Sequence, residues 1–170
     1  MIRTVTASDV ASITAIYAHH VLHGVASYET EPPFEEEMRS RIDRVVKSGW
    51  PWLVAEREGI VVGYAYATQM RDRAAYRYTA EDSVYVAVEQ TRRGIGRDLL
   101  SALIEQVERL GARQMIAVIG GAEPPSIALH ANLGFREVGR LEGAGRKFDR
   151  WLDSVYMQRA IGAGSKSSPL

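Results

Sequence analysis

Residues 82–100 read DSVYVAVEQTRRGIGRDLL. A β-branched apolar run over Ser83–Val88 meets Thr91, Arg92 and Arg93. Gly94 and Gly96 follow, and from there Leu99, Leu100, Leu103, Ile104, Val107 and Leu110 recur at helical spacing until Gly111. A buried strand therefore runs through a glycine loop into an amphipathic helix. The amides of that loop are free and the helix N-terminus is the positive end of its dipole, so the junction suits an anion and a phosphate above all. A triphosphate loop is excluded, because Arg97 and Asp98 stand where Lys and Ser/Thr are needed. A dinucleotide fingerprint fails too, since Leu99 occupies the third small position. Two readings of the loop stay open: amides that wrap a diphosphate, and a plain strand-to-helix turn with exposed arginines.

Working outward, IRTVT reads as a first strand. SDVASITAIYAHHVL is a helix with Ser8 or Asp9 as its cap and Val10, Ile13, Ile16 and Tyr17 on one face. PPFEEEMRSRIDRVVKSG is a second helix, with acids in its first turn and Met38, Ile42 and Val45 as its stripe. PWLVAERE and IVVGYAYATQM form a hairpin about Glu58-Gly59, and RDRAAYRY is a polar aromatic loop. RQMIAVIG is a strand, and Pro125 suits the first position of the helix SIALHANL. GFREVGRLE and WLDSVYMQR are two closing strands. The order β-α-α-β-β-β-α-β-α-β-β predicts one α/β domain over residues 1–160, a mixed and mostly antiparallel sheet flanked by helices. Residues 161–170, small and polar, are expected to be a disordered tail.

Lys plus Arg and Asp plus Glu each count 21, and a net charge of zero argues against a general nucleic-acid binder. The chain has no cysteine, which removes disulfides, thiolate metal sites and a cysteine nucleophile. With no apolar run of about 20 residues, a membrane span is not expected. A soluble cytoplasmic protein is. His19 and His23 share a helical face with His20 beside them, but without a carboxylate companion a metal site is not expected.

The glycine loop, followed about thirty residues later by SIALHANLGF, resembles the GCN5-related N-acetyltransferase superfamily. Within it, WPWLVAE (50–56), TAEDSVYV (79–86), AVIGGAEPPSIALHANLGF (117–135) and AGRKFDRWLD (144–153) resemble the phosphinothricin and methionine sulfoximine acetyltransferases. The resemblance runs from about Ile2 to Arg159. It implies transfer of acetyl from acetyl-CoA to the α-amine of a small amino-acid-like substrate by direct attack, in a homodimer and with no metal. Val84, Tyr85 and Val86 would then offer backbone to the pantetheine arm, and Arg92, Arg93, Gly94, Ile95, Gly96 and Arg97 would wrap the pyrophosphate. Thr91 replaces the usual Gln or Arg of that loop. Glu123 stands where the family tends to carry a cofactor-contacting Asn, and it is carried as a cofactor contact on that ground.

By the same resemblance Glu81 is the general base and His130 occupies the slot of the acid that protonates the departing thiolate. A half-buried structural histidine is the competing reading of His130. Arg71, Asp72 and Arg73, with Glu81, Asp82 and Ser83, are the expected substrate contacts, arginine forks being suited to carboxylates. Tyr28, Glu29, Phe34, Tyr76 and Tyr78 either wall that pocket or pack. Successive strand residues face opposite ways, so one of Glu81 and Asp82 is expected to face the site, and the resemblance selects Glu81. The alternatives are a non-catalytic acyl-CoA-binding sensor domain, or an acetyltransferase for a protein N-terminus or a polyamine.

Overall fold

A computed structural model describes residues 1–168. Seven strands form one sheet in the order β1-β2-β3-β4-β5-β7-β6. They are β1 (Ile2–Thr4), β2 (Trp52–Arg57), β3 (Ile60–Gln69), β4 (Thr79–Val86), β5 (Gln114–Gly120), β6 (Arg136–Lys147) and β7 (Arg150–Ala160). Every neighbouring pair is antiparallel except β4 and β5. Helices α1 (Val10–His23) and α2 (Glu35–Lys47) cover one face, and α3 (Ile95–Arg109) and α4 (Pro124–Asn132) pack on the other. The expected order and sheet type are those observed.

The central strands are apolar at successive positions because both faces are covered. On β2, Trp52 and Val54 join Ile13, Tyr17, Met38 and Ile42 under α1 and α2. Leu53 and Ala55 alternate with them and join Leu99, Leu100 and Leu103 of α3. The small side chains of Ala65, Ala67 and Ala80 bring α3 close to the sheet. On the opposite face Trp52, Tyr64 and Tyr66 stack, with the Trp52 and Tyr66 rings 4.2 Å apart.

Several boundaries differ from the sequence reading. Asp9 does not cap α1 with its side chain. Its carboxylate instead accepts from the Thr6 amide at 2.7 Å and from the Arg3 guanidinium at 2.7 and 2.8 Å. Pro124, not Pro125, opens α4, because Glu123 is its extended N-cap residue. Strand β6 runs on to Lys147 through a bulge between Leu141 and Gly145, which hid its second half from a strict alternation. The turn to β7 uses Phe148 and Asp149 at φ 50 and 58, with no glycine to signal it. The domain also extends past its expected end at 160. Ile161 is 1% exposed in the core, its amide donates to Arg113, and a short 3-10 turn follows over Gly164–Lys166. Positions 169 and 170 of the expected tail lie outside the described residues.

Arg3 ties β1 to the first helix and to β2, donating also to Glu56 at 2.8 Å. The Arg3 hydrogen bonds hold the Asp9 carboxyl down at about 2, the Thr6 bonds adding to them against the cost of burial. A carboxyl with a depressed folded-state pKa stabilises the fold above its unfolded value and loses that contribution as pH falls through the folded one. Asp9→Asn should therefore cost about 1–3 kcal/mol at neutral pH. In denaturant titrations that difference should be full at pH 6 and fade between pH 3.8 and about 2. A difference that is constant across this range would remove the ion pair from the account.

Candidate active site

Strands β4 and β5 pair from Thr79–Gln114 only as far as Asp82–Ala117, though β4 continues to Val86 and β5 to Gly120. The two strands therefore part, and a cleft opens between them. Ala87 donates its amide to Val62 of β3, so by strand alternation Val84 and Val86 turn theirs toward the gap. His20, from α1, bonds the Val86 carbonyl through Nε2 at 2.9 Å. A carbonyl can only accept, so Nε2 carries the hydrogen. Burial lowers the His20 pKa, which favours this neutral tautomer. The sequence reading left His20 as a packing or surface residue, and its link to β4 spans 66 positions, which no local pattern signals.

The glycine loop closes the outer end of the cleft. Arg92 at φ 60 and Gly94 at φ 81 adopt left-handed backbone to turn the chain into α3. The Asp98 amide is the first of α3 to reach a helical carbonyl, that of Gly94, so the amides before it lack helical partners. Gly96 has no positive φ, and a Cβ there would meet Leu129 at an ordinary 3.4 Å. The fold itself therefore tolerates a side chain at 96. What the glycine leaves free is cleft space beside Leu129 and Val86, at the positive end of a helix, as a phosphate needs.

This cleft has a volume of about 370 Å³, lined by Val84, Val86, Thr91, Arg92, Gly94–Arg97, Glu123 and Ser126 among others. Arg93 does not line it; its carbonyl accepts from Arg57 at 3.1 Å instead. Inward, the cleft meets a narrower cavity of about 60 Å³ at the fork of the strands, where Asp82, Ser83, Gly120 and His130 converge. Val84, Tyr85, Glu123 and Ser126 line both.

Glu81 and Asp82 do point to opposite faces, but it is Asp82 that lines the fork. Asp82 is buried beside Ala80 on the α3 and α4 side, with Oδ1 3.2 Å from His130 Nε2 and Oδ2 without a hydrogen-bond partner. Glu81 lies on the other face, 3.8 Å from Arg71. Burial raises the Glu81 pKa, opposed by the Arg71 charge and assisted by that of Asp82. Of the expected substrate contacts, Arg71 is thus brought to Glu81, and Ser83 reaches the fork. Asp72 lines a separate groove with Arg44 and Gln69, and Arg73 is exposed in the loop that Gln69 ties together by bonds to the Arg71 and Arg73 carbonyls. Phe34 is 85% exposed, and Tyr78 faces a groove at the far end of α3. Neither lines the cleft or the cavity at the fork. Among the described residues no group of three or more His, Cys, Asp or Glu is placed to hold a metal ion.

The segment between α1 and α2 forms the remaining wall. Tyr28 donates to the Asp153 carbonyl at 2.8 Å and accepts from the Gly121 amide at 3.2 Å. The buried Lys147 ammonium donates to the Ser27 carbonyl at 2.7 Å. Glu29 takes two bonds from Arg41 and one from Tyr17. Sequence reasoning quoted Gly145 and Lys147 inside AGRKFDRWLD without giving them a task. The structure gives both one. Tyr28 lies where a Cβ on Gly145 would stand, and Lys147 fastens the residue before it.

A family model described as "Acetyltransferase (GNAT) domain" matches residues 2–156. The chain belongs to the GNAT acetyltransferase family. Among its relatives, a phosphinothricin N-acetyltransferase of Alcaligenes faecalis is 49% identical over 99% of this chain and 86% of its own length. An L-methionine sulfoximine/L-methionine sulfone acetyltransferase of Salmonella typhimurium is 39% identical over 92% of both chains. A crystal structure of a GNAT superfamily phosphinothricin acetyltransferase from Sinorhizobium meliloti, in complex with AcCoA, superposes with a TM-score of 0.99 at 49% identity. It covers all of this chain and 92% of that one.

The acetyltransferase should gain thermal stability from CoA, because a ligand that binds only the folded state stabilises it by mass action, by about 2.7 kcal/mol at a hundred times its Kd. Gly96→Glu places bulk and negative charge in the open side of the loop. Differential scanning fluorimetry should show most of the CoA shift gone while the unliganded melting temperature stays close to that of the parent. A full shift in a folded variant would move the phosphate site elsewhere.

Proposed function

We propose that the protein transfers acetyl from acetyl-CoA to the α-amine of a small amino acid with a second polar or anionic head, of the phosphinothricin, methionine sulfoximine or methionine sulfone type. The observation that carries this reading is the forked strand pair, with a free-amide helix start at its outer end, Asp82 and His130 at its inner one, and Glu81 with Arg71 on the opposite face of β4. The residues present fit the co-substrate: the open side at Gly96 and the amides from Gly94 to Arg97 suit a diphosphate. The backbone of Val84 and Val86 suits an amide-bearing arm. Acetyl-CoA would supply the activated thioester.

The work of the chain is then positional and protolytic. An ammonium has no lone pair, so a proton must leave the substrate before attack. Glu81, its pKa raised by burial, is the group proposed to take it, directly or through water. Arg71 is proposed to hold the substrate carboxylate or head group in the same loop, with Arg73 as a second guanidinium. An amine oriented over the thioester needs no protein nucleophile, and a chain without cysteine is consistent with that.

The relatives' names support the substrate class. No helix among the described residues is long and apolar enough to cross a membrane, and acetyl-CoA is an intracellular metabolite, so we place the enzyme in the cytoplasm. A homodimer through the β6–β7 edge is proposed on the exposed Val138, Leu141 and Trp151 there. Sedimentation velocity should return about twice the 18.9 kDa of one chain, and a monomer at high concentration would remove this part.

The enzymatic reading is tested by release of free CoA thiol from acetyl-CoA with methionine sulfoximine, methionine sulfone, phosphinothricin, ordinary amino acids and a polyamine. Turnover should be confined to substrates bearing both an α-amine and a carboxylate. Glu81→Gln should keep acetyl-CoA affinity and lose at least about tenfold in kcat/KM. Because Glu81 must be ionised to act, parent activity should fall as pH drops through its raised pKa. The deficit of the variant should shrink at high pH, where more of the amine is already neutral. Undiminished kcat/KM in Glu81→Gln at neutral pH would assign proton removal to solvent.

A further inference from the structure

At the fork of β4 and β5 the structure holds a polar pair, Asp82 and His130, of which the resemblance gives only His130 a task. The side chains of Asp82 and His130 are 3% and 5% exposed, one on β4 and the other on α4. His130 Nδ1 lies 2.7 Å from the Ser126 carbonyl, one helical turn earlier. That carbonyl can only accept, so Nδ1 carries a hydrogen. Nε2 lies 3.2 Å from Asp82 Oδ1. Without a proton between them, a nitrogen lone pair would face a carboxylate lone pair in a dry interior, which is a repulsive contact. The arrangement requires a proton there. The Phe135 ring, edge-on to His130 at 5.1 Å, helps to keep the imidazole in place.

We infer that Asp82 is a positioning residue that keeps a proton on His130 Nε2 at neutral pH, so that the pair delivers it to the departing thiolate. This rests on the acetyl-transfer reading above and adds to it a residue that neither the relatives' names nor the base assignment calls for. The placement fits. Both residues line the cavity at the fork, which opens into the cleft through Val84, Glu123 and Ser126.

The step balances as follows in bonds and protons. The neutral amine forms its C–N bond to the thioester carbonyl carbon, the C–S bond breaks with its electron pair going to sulfur, and the nitrogen, cationic once it has attacked, releases its second proton to water. The Nε2 proton passes to that sulfur. His130 is left neutral with Nδ1–H still on Ser126, and Asp82 stays a carboxylate. The pair then again has two lone pairs opposed, and it regains a proton from water as CoA leaves. Asp82 thus reloads the acid rather than touching the substrate itself.

The electrostatics agree in direction. Burial works against an imidazolium at 130, but the Asp82 hydrogen bond and charge outweigh it, with the Ser126 carbonyl adding to them, and the His130 pKa is raised. Burial raises that of Asp82 as well, against the pull of His130. The His130 shift says that Asp82 holds a proton on the imidazole above its ordinary range, while the burial of Asp82 works against its carboxylate form. The other groups facing it are few. Glu123 at the N-cap of α4, Ser126 of α4 and Ser83 of β4 line the same cavity, Glu81 sits behind Asp82 on the opposite face, and Ala117–Gly120 of β5 bring no charge.

Asp82→Asn tests this, because an amide keeps the shape but cannot hold the proton on His130. The alkaline limb of kcat should move to lower pH by about one unit or more, the size of an ordinary charge-pair effect. Near pH 8 kcat should fall about tenfold, with KM for acetyl-CoA within about twofold. The double variant with His130→Gln should be no slower than His130→Gln alone. Nitrogen-15 spectra of the His130 ring read the pair without turnover: the parent ring should titrate above the ordinary imidazole value of 6.5, and Asp82→Asn should bring it below that value. A parent His130 that titrates as an ordinary histidine overturns the inference even if Asp82→Asn folds poorly. So does an unmoved pH profile in an active variant. A parent enzyme that releases no thiol with any amine would overturn the acetyl-transfer reading instead, and the ring spectra would still decide the pair.

Discussion

The hydrogen bonds between β4 and β5 stop at Asp82 and Ala117, while both strands keep their extended form beyond that point. Backbone groups in a sheet interior are normally paired, and leaving them unpaired is costly unless something else satisfies them. Here the unpaired stretch is the wall of a cleft. His20 takes one of its carbonyls, and the remaining groups face space that a ligand backbone can enter. The rest of the site depends on this gap. The loop of Arg92–Arg97 lies at its outer end, and the Asp82–His130 pair lies at its closed end.

The gap is held open from the α1–α2 side. At Gly120, Gly121 and Gly145 an added Cβ would collide with Val25 or Tyr28, so those glycines are the room into which the connecting segment fits. Tyr28, Lys147 and the Glu29–Arg41 pair then fasten it from three directions. Burial pulls the Lys147 ammonium below its usual pKa, with the Glu29 charge opposing the fall, so this anchor has a cost that its bond to the Ser27 carbonyl must offset. A wall made this way is continuous with the sheet core, and the geometry of the fork is set by packing rather than by a free loop.

Much of this was legible in the sequence, for identifiable reasons. The apolar period of α3 and the glycines before it give strand, loop and helix directly, and the mixed sheet follows from the order of elements. Glu81 and His130 were selected by resemblance, and Glu81 does lie beside Arg71. What the sequence could not show were links between distant positions. Asp82 to His130 spans 48 residues, His20 to Val86 spans 66, and Tyr28 to Asp153 spans 125. Alternation along β4 correctly separated Glu81 from Asp82 but could not say which of them faces the fork; the resemblance selected Glu81, and it is Asp82 that lines the cavity. The second half of β6 was hidden by its bulge, and its turn by two non-glycine residues in left-handed backbone.

The central claim is that the fork receives the reacting thioester and that the pair at its base meets the sulfur. A crystal structure with a non-reactive thioether analogue of acetyl-CoA tests it most directly. The account predicts the diphosphate on the amides of Gly94–Arg97, the arm beside Val84 and Val86, and the sulfur within hydrogen-bonding reach of His130 Nε2. A diphosphate on those amides with the sulfur on the Glu81 face, away from His130, would contradict it.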